Sequence, residues 1–158
     1  MKTSKSEMKD TIICDLDGTL ADCEHRVHHV RNTPKNWDAF FAGVREDGVN
    51  YPVLSVLGTF MDYGGLRYRL IFCSGRPERC RADTKAWLLE QARLSEDDYT
   101  LLMRKNGDFR ADDIVKQEIL DNYIDKGRVL FVLDDRQQVV DMWRRNGLTC
   151  FQVAEGNF

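Results

Sequence analysis

The stretch that most constrains this chain is TIICDLDGTLAD, residues 11–22, in which a short apolar run leads directly into two carboxylates. The run Thr11–Asp15 is rich in β-branched residues and is bounded by Asp and Gly, which predicts a strand buried on both faces. Asp15 and Asp17 gain nothing from packing at the end of such a strand. We therefore interpret the pair as part of a functional site.

The rest of the chain alternates between short apolar runs and helical patterns. Apolar runs predict further strands at Arg67–Cys73, Tyr99–Met103, Val129–Asp135 and Thr149–Val153. Apolar residues at helical spacing predict helices at Asn36–Arg45, Pro52–Asp62, Glu78–Ala92, Ala111–Tyr123 and Gln137–Arg145. Such alternation is typical of a parallel sheet flanked by helices, which places the chain in the α/β class.

Length and composition limit the number of domains. The chain has 158 residues, of which 42% are hydrophobic and 31% are charged. A chain of this size buries a sizeable core as one domain, with room for a small insertion. We expect a single domain over residues 1–158.

Charge and cysteine content argue against several classes of protein. The formal net charge is −3, so any contact with a polyanion must come from local clusters of Arg and Lys. Five cysteines are scattered without a CxxC pair, which disfavours a zinc site and favours a reducing compartment. Met1–Asp10 is a polar start that we interpret as frayed, and no stretch has the pattern of a signal peptide or a membrane span. We expect a cytoplasmic protein without membrane contact.

Four of the predicted strands run into polar segments. These segments are Asp15–Thr19, Ser74–Arg76, Met103–Lys105 and Asp134–Arg136. Ligands of open parallel sheets bind beyond the carboxyl ends of the strands, so we expect the segments to form one site. Taken singly, an acid after a strand is more often a turn residue or a helix N-cap. Taken together, the acids require a cation or a proton among them, because like charges repel.

The order of the motifs along the chain resembles a known superfamily. The motif DLDGT at 15–19, then Ser74, then Lys116 and then Asp134-Asp135 is similar to the aspartate-nucleophile phosphatases of the haloacid dehalogenase (HAD) superfamily. Longer segments are similar to the 3′-phosphatase half of phage-type polynucleotide kinase-phosphatases: FCSGR, RADDIVKQEI and LDDRQQVVDMWRRNGLTCFQVAEGNF.

This resemblance implies a HAD-like Rossmannoid fold with three layers around a central parallel sheet. It covers residues 11–26 and 70–158, whereas the stretch between them matches poorly. The family inserts a cap over the active site after the first strand, so we expect a small cap insertion at about residues 22–66. A lid that excludes water suits phosphoryl chemistry.

The resemblance also implies a mechanism. Asp15 would attack phosphorus and form an aspartyl-phosphate. Asp17 would protonate the leaving oxygen and then activate water, which predicts a raised pKa for its carboxyl group. Mg²⁺ is the expected cofactor because it suits a hard site of oxygen ligands. Its expected ligands are Asp15, the backbone carbonyl of Asp17 and Asp134, with Asp135 either as a further ligand or as the residue that holds a bound water.

A second group of residues is expected to hold the phosphoryl group. Ser74 and Lys116 would contact its oxygens, where charge is stabilised in the transition state. Thr19 is the last residue of the DLDGT motif and is also expected to bind the substrate. Asp112 stands four residues before Lys116 and would fix its ammonium group, although an ordinary helix surface pair is an equal alternative.

Several arginines are candidates for reading the substrate. Arg26 and Arg76 match arginines that contact the substrate near the scissile phosphate in the resembling phosphatases, and the alternative for each is a solvated surface arginine. Arg104, Lys105 and Arg110 follow the third strand, where they would extend a strip for a nucleic-acid backbone or form a simple charged loop.

The predicted cap carries aromatic and histidine residues, and two roles are considered for each set. Four aromatic residues are candidates for stacking on a base, but helical spacing favours core packing for them: Trp37, Phe40, Phe41 and Tyr51. Three histidines lack an acid or cysteine at zinc-site spacing, so substrate contact is favoured over a metal role: His25, His28 and His29.

Two other classes of phosphoryl chemistry compete with this interpretation. Residues Cys73–Arg79 fit the C-x5-R loop of cysteine phosphatases, but Phe72 replaces the usual histidine and the acids stay unexplained. Receiver domains of signalling systems also combine acids, a hydroxyl and a lysine, but they carry the acidic pair on the first strand and the phospho-acceptor on a later one. A binding protein without turnover is disfavoured because every expected catalytic residue type is present.

The expected function is a Mg²⁺-dependent phosphomonoesterase that acts on polynucleotide 3′ ends in the cytosol of a phage host or bacterium. The expected partner is therefore DNA or RNA with a terminal phosphate. A mononucleotide phosphatase and a 5′-end phosphatase are the alternatives. No G-x-x-x-x-G-K-[ST] motif occurs, so we expect no kinase half in this chain. The preference between DNA and RNA and the oligomeric state stay open.

Overall fold

The structure is a computed structural model that describes residues 8–64 and 68–158. Its centre is a parallel sheet of five strands in the spatial order β5-β4-β1-β6-β7. These strands are β1 (Thr11–Cys14), β4 (Arg69–Pro77), β5 (Thr100–Arg104), β6 (Val129–Asp134) and β7 (Cys150–Gln152). The α/β class and the parallel sheet predicted from the sequence are confirmed.

Six helices accompany the sheet within the described residues. They are α1 (Glu24–Arg31), α2 (Trp37–Ala42), α3 (Tyr51–Gly64), α4 (Arg81–Glu90), α5 (Asp112–Tyr123) and α6 (Gln137–Arg145). Two short strands, β2 (Ala21–Asp22) and β3 (Gly48–Val49), pair as a second, antiparallel sheet. Among the helices described, none has the length and apolar character needed to cross a bilayer.

Strand β1 lies at the middle of the sheet and is buried along its whole length. Ile12 and Cys14 pack into the hydrophobic cluster on one face, and Ile13 packs into the cluster on the other face. The chain leaves β1 for β4 on one side and later returns to β6 on the other side. The strand order therefore reverses between β1 and β6, which is where ligands of such sheets bind.

The predicted cap segment has two different environments. Val53 and Leu57 of α3 belong to the main hydrophobic cluster together with Phe72 of β4. Helices α1 and α2 instead form a small cluster of their own, in which Val27 packs with Phe40. The cap boundary at 22–66 stays a prediction.

Several element boundaries differ from the sequence-based expectation. Helix α2 is shorter than predicted because it ends at Gly43, and a 3₁₀ turn follows at Val44–Glu46. The helix expected from Glu78 starts as a 3₁₀ turn, and α4 begins only at Arg81 because β4 continues to Pro77. Position 67, the predicted start of that strand, lies outside the described residues.

Some features of residues 8–50 were missed. Helix α1 contains few apolar residues, of which Val27 and Val30 are buried, so its periodicity is weak. Strands β2 and β3 have two residues each, which is too short for a strand pattern. The frayed start was wrong at Asp10, since its amide donates to the Arg128 carbonyl at 3.0 Å and its carboxylate pairs with the Arg128 guanidinium.

Core packing was predicted for four aromatic residues of the cap segment, and the structure confirms it for only some of them. Phe40 is 2% exposed, as expected for a core residue. Trp37 is 40% exposed and Tyr51 is 67% exposed, so core packing was wrong for both. Phe41 is half-buried. Trp37 and Tyr51 are the first residues of α2 and α3, and neither belongs to a core cluster among the described residues.

Candidate active site

The two central strands place a pair of carboxylates side by side. The amide of Asp15, which follows β1, donates to the Leu133 carbonyl of β6 at 2.9 Å. Asp134 ends β6, and Asp135 follows it. One oxygen from each of Asp15, Asp134 and Asp135 lies within 4.8 Å of the others, and all three residues are buried. The structure therefore brings together three of the acids that the sequence analysis grouped.

A single lysine faces these carboxylates. Lys116 of α5 is 0% exposed, and its Nζ lies 2.8 Å from Asp15 Oδ1 and 3.1 Å from Asp134 Oδ2. Three carboxylates and one ammonium leave a formal charge of −2 in this cluster, which we call the acidic cluster (Asp15, Asp134, Asp135 and Lys116). A buried excess of this size is unfavourable without a further cation or a proton.

The remaining contacts of the acidic cluster fix its side chains except at one atom. Trp143 Nε1 donates to Asp134 Oδ2 at 3.0 Å, and the Asp135 amide donates to Asp134 Oδ1 at 2.9 Å. Thr19 Oγ1 bridges Asp15 Oδ2 and Asp135 Oδ1 at 3.3 Å each. Asp135 Oδ2 is buried and, among the described residues, has no hydrogen-bond partner.

Gly18 makes room for that unpartnered oxygen. Its φ of +81° is rare for residues with a side chain, and a Cβ at this position would lie 2.2 Å from Asp135 Oδ2. The glycine of the DLDGT motif is therefore required both for the turn and for the approach of the carboxylate.

The pKa values of Asp15, Asp135 and Lys116 are shifted in the directions that an excess of negative charge produces. Burial raises the pKa of Asp15 well above its usual value, and the nearby charge of Asp134 adds to the rise. The pKa of Asp135 is also raised, by burial and then by Asp134. Burial opposes the charge of Lys116, but Asp134 and Asp15 outweigh it and raise its pKa well above the usual value. A divalent cation fits these residues, because it would balance the charge and give Asp135 Oδ2 a partner.

Asp17 belongs to a second, separate charge group. Its Oδ1 accepts from Arg76 Nη2 at 2.6 Å and also from Arg26 Nη2. Burial favours the protonated form, but the two guanidinium groups outweigh it and lower the pKa of Asp17 to about 2. The raised pKa expected for this residue was therefore wrong, because the two arginines lie against its carboxylate.

The partner of these arginines is Asp47, which the sequence analysis missed. Its carboxylate is fully buried and accepts from Arg26 Nε at 2.7 Å and from Arg76 Nη2 at 3.0 Å. His25 Nε2 lies 2.8 Å from the same carboxylate, and Trp87 Nε1 donates to the Asp47 carbonyl. The guanidinium groups of Arg26 and Arg76 and the carboxylates of Asp17 and Asp47 form what we call the arginine pair group, which is formally neutral.

The alternative interpretation of Arg26 and Arg76 as solvated surface arginines is wrong. They are 1% and 0% exposed. Arg76 Nη1 also donates to Thr84 Oγ1 at 3.0 Å. Both side chains are held by Asp17 and Asp47, and their contact with substrate stays a prediction.

The carboxyl-terminal part of β4 links the two groups. Ser74 is 1% exposed, and its Oγ accepts from the Arg76 amide at 3.1 Å. A Cβ on Gly75 would lie 2.1 Å from Asp112 Oδ1, so only glycine fits here. Asp112 lies 3.7 Å from Lys116 Nζ and pairs with Arg104 Nη2 at 3.0 Å. Asp112 therefore pairs with Lys116, as predicted, and also with Arg104.

A pocket of about 890 Å³ opens over these residues. Asp15, Asp17 and Asp135 line it, together with residues of α2 and of the connection between β5 and α5. The predicted site residues that are almost fully buried around it are Thr19, Arg26, Ser74, Arg76, Lys116 and Asp134. The pocket gives a substrate direct access to Asp15.

The cysteine-phosphatase alternative conflicts with this geometry. The Cys73 side chain is fully buried in the core cluster on one face of the sheet, and burial raises the pKa of its thiol. Arg79, the other end of the C-x5-R pattern, is half exposed and pairs with Asp38. A buried, protonated thiol is a poor nucleophile.

Removing the carboxylate of Asp47 should destabilise the protein strongly. Asp47→Ala leaves two buried guanidinium groups with one carboxylate, and breaking a buried pair costs about 3–5 kcal/mol. We expect a loss of that size in the free energy of unfolding from urea titration. Glu46→Ala removes the neighbouring exposed acid and is the control. A loss for Asp47→Ala no larger than that of the control would contradict the role assigned to Asp47.

Comparisons with known proteins identify the family to which this chain is similar. Residues 9–158 match the family described as the phosphatase domain of polynucleotide kinase PNKP. A chain in the structure of the Pnkp1/Rnl/Hen1 RNA repair complex is 37% identical, with a TM-score of 0.78 over 96% of this chain and 44% of that chain. A putative bifunctional polynucleotide kinase/RNA ligase of Autographa californica nuclear polyhedrosis virus is 29% identical over 134 residues, which are 84% of this chain and 17% of the viral protein.

A more distant structure supports the fold alone. A haloacid dehalogenase-like hydrolase from Streptococcus pneumoniae has a TM-score of 0.62 at 11% identity, over 90% of this chain and 83% of that one. The HAD-like Rossmannoid fold that the motifs implied is thereby confirmed. Because the family match extends over nearly the whole chain, this protein belongs to the polynucleotide kinase PNKP phosphatase domain family of HAD phosphatases.

Proposed function

We propose that this domain is a Mg²⁺-dependent phosphomonoesterase that removes 3′ phosphates from polynucleotides in the cytoplasm. The observation that carries the proposal is the acidic cluster: a buried formal charge of −2, with one unpartnered carboxylate oxygen, at the edge of an open pocket. Five free, buried cysteines are in keeping with a reducing compartment.

In the proposed reaction Asp15 is the nucleophile. It lines the pocket, and its two oxygens are held by Lys116 on one side and Thr19 on the other, so the carboxylate has a fixed orientation. Attack on phosphorus forms an aspartyl-phosphate. Lys116 and Ser74 are proposed to stabilise the phosphoryl oxygens as charge develops on them.

Mg²⁺ is proposed to bind Asp15, Asp134 and Asp135, with the Asp17 carbonyl as a further ligand. When bound, it supplies positive charge that lowers the repulsion between a carboxylate nucleophile and a dianionic phosphate. The donor set consists of hard oxygen atoms, as this cation prefers.

Asp17 is proposed to be the acid and base of the two half-reactions. In the free chain it is a carboxylate held by the two arginines, which is the form that activates water to hydrolyse the aspartyl-phosphate. To protonate the leaving oxygen it must first gain a proton. The negative charge of a bound substrate phosphate favours this, because like charge nearby raises the pKa of a carboxyl group.

The polynucleotide substrate is supported by the family and by the pocket. The relatives named above carry polynucleotide kinase or RNA repair in their names, although this chain spans 44% and 17% of their lengths. Lys35, Arg79, Arg104 and Arg110 line the pocket, and such cations suit a nucleic-acid backbone.

Mg²⁺ should stabilise the folded chain even without substrate. A ligand that binds only the native state at 100 times its dissociation constant adds about 2.7 kcal/mol of stability. We expect Mg²⁺ to raise the melting temperature of the wild type, and Asp135→Asn to abolish most of the rise. The exposed Asp97→Asn variant is the control and should respond like the wild type. An unchanged Mg²⁺ response in Asp135→Asn would contradict the proposed ligand set.

The substrate proposal is tested by measuring phosphate release from four compounds with Mg²⁺ present. These are a 3′-phosphate oligonucleotide, a 5′-phosphate oligonucleotide, a 3′-mononucleotide and glycerol 2-phosphate. We expect the highest kcat/KM for the 3′-phosphate oligonucleotide and no release with EDTA. A much higher kcat/KM for the mononucleotide or the 5′ end would favour the corresponding alternative and would leave the phosphatase assignment intact.

A further inference from the structure

Aromatic rings in the pocket have no role in the proposed chemistry. Trp37, Phe41 and Phe109 line the same pocket as Asp15, and we call these three rings the aromatic wall. Phe109 is 91% exposed and Trp37 is 40% exposed. Exposed rings forgo the stabilisation that burial would give them, so a group of them beside a nucleophile requires an explanation.

The ring of Trp37 is held in place by its neighbours on α2. It stacks on Phe41 with centroids 5.9 Å apart and an angle of 23°, and it meets Phe40 edge-on at 5.7 Å. Phe40 is buried in the small cluster of α1 and α2 and anchors the helix. The side chain amide oxygen of Asn36 accepts from the Ala39 amide and caps the helix. The indole face is therefore presented by a fixed element rather than by a free side chain.

Cations accompany the two rings of α2. Lys35 Nζ lies 5.6 Å from the centre of the Trp37 ring, and the Arg79 guanidinium lies 5.9 Å from the centre of the Phe41 ring. Both cations line the pocket. Stacking rings interleaved with basic side chains are the combination that binds single-stranded nucleic acid, where rings contact bases and cations contact phosphates.

Phe109 projects from a connection that is tied down on both sides of it. Arg104 Nη1 donates to the carbonyls of Asp108 at 3.1 Å and of Arg110 at 2.7 Å. Arg110 also pairs with the Asp108 carboxylate. The backbone around Phe109 is fixed, yet its ring is almost fully exposed. A disordered tip does not explain this exposure.

We propose that the aromatic wall binds the nucleobase of the terminal nucleotide whose phosphate Asp15 attacks. The inference rests on the proposed function and extends it to the residues that recognise the substrate. A nucleobase is the one part of such a substrate with flat apolar faces, and its sugar phosphate connects it directly to the reacting phosphorus. A pocket of about 890 Å³ is within the range that encloses a ligand of nucleotide size. Because every base has a π-face, this contact is tolerant of sequence.

The test combines variants of the wall with a substrate that lacks the base. The two substrates are oligonucleotides with a 3′ phosphate, one ending in an ordinary nucleotide and one ending in an abasic residue. Trp37→Ala and Phe109→Ala are compared with the wild type. Tyr51→Ala is the matched control, because Tyr51 is an exposed aromatic residue outside the pocket. Trp37→Phe keeps a ring and should retain most of the wild-type activity.

A stacked base contributes a factor of roughly 5- to 150-fold. We expect kcat/KM of the wild type to fall by that factor when the base is removed. Trp37→Ala and Phe109→Ala should lose activity on the ordinary substrate, mainly through KM, and lose little on the abasic one, while Tyr51→Ala matches the wild type on both. Equal losses on both substrates, or no loss on either, would overturn the inference.

Failure of the proposed function gives a different result. If the wild type releases phosphate from glycerol 2-phosphate but from neither oligonucleotide, the polynucleotide assignment fails before any variant is compared. If the wild type cleaves both oligonucleotides and the base makes no difference to any enzyme, only the role of the aromatic wall is overturned.

Discussion

The uncompensated charge of the acidic cluster is the constraint on which the rest of the site depends. Asp15 and Asp134 are close because β1 and β6 are adjacent, parallel and nearly level at their carboxyl ends. Such a cluster is costly in a buried position, and Lys116 compensates only part of it. The proposed cation and the proposed phosphoryl chemistry would account for such a cluster beside an open pocket. Packing alone offers no reason for it.

The arginine pair group separates the two carboxylates of the DLDGT motif electrostatically. Asp15 and Asp17 are two residues apart, but Asp15 is surrounded by other acids and Asp17 by two guanidinium groups. Their pKa values are therefore shifted in opposite directions. Asp47 makes this possible, because it holds both arginines against Asp17. One short motif thus supplies two groups with different protonation behaviour, as the proposed two-step reaction requires.

The sequence predicted what depends on local pattern and on strand ends. The central strands, α6 and the grouping of Asp15 with Asp134 were predicted, because burial of a strand and polar residues at its end are visible in the order of residues. Lys116 was added by the resemblance to the HAD superfamily. Asp47 was not predicted, since an acid before a glycine in a poorly matching segment has the pattern of an ordinary turn. Its importance comes from burial between two distant arginines. The exposure of Trp37 was also missed, since helical spacing does not indicate how much of a helix face its neighbours cover.

The most direct measurement is the identity of the phosphorylated residue during turnover. The enzyme is mixed briefly with Mg²⁺ and a 3′-phosphate oligonucleotide, quenched in acid and analysed by peptide mass spectrometry. We predict a phosphoryl group on Asp15 that disappears when turnover is complete, and none in Asp15→Asn. A phosphoryl group on another residue, or undiminished turnover by Asp15→Asn, would contradict the assignment of Asp15 as the nucleophile.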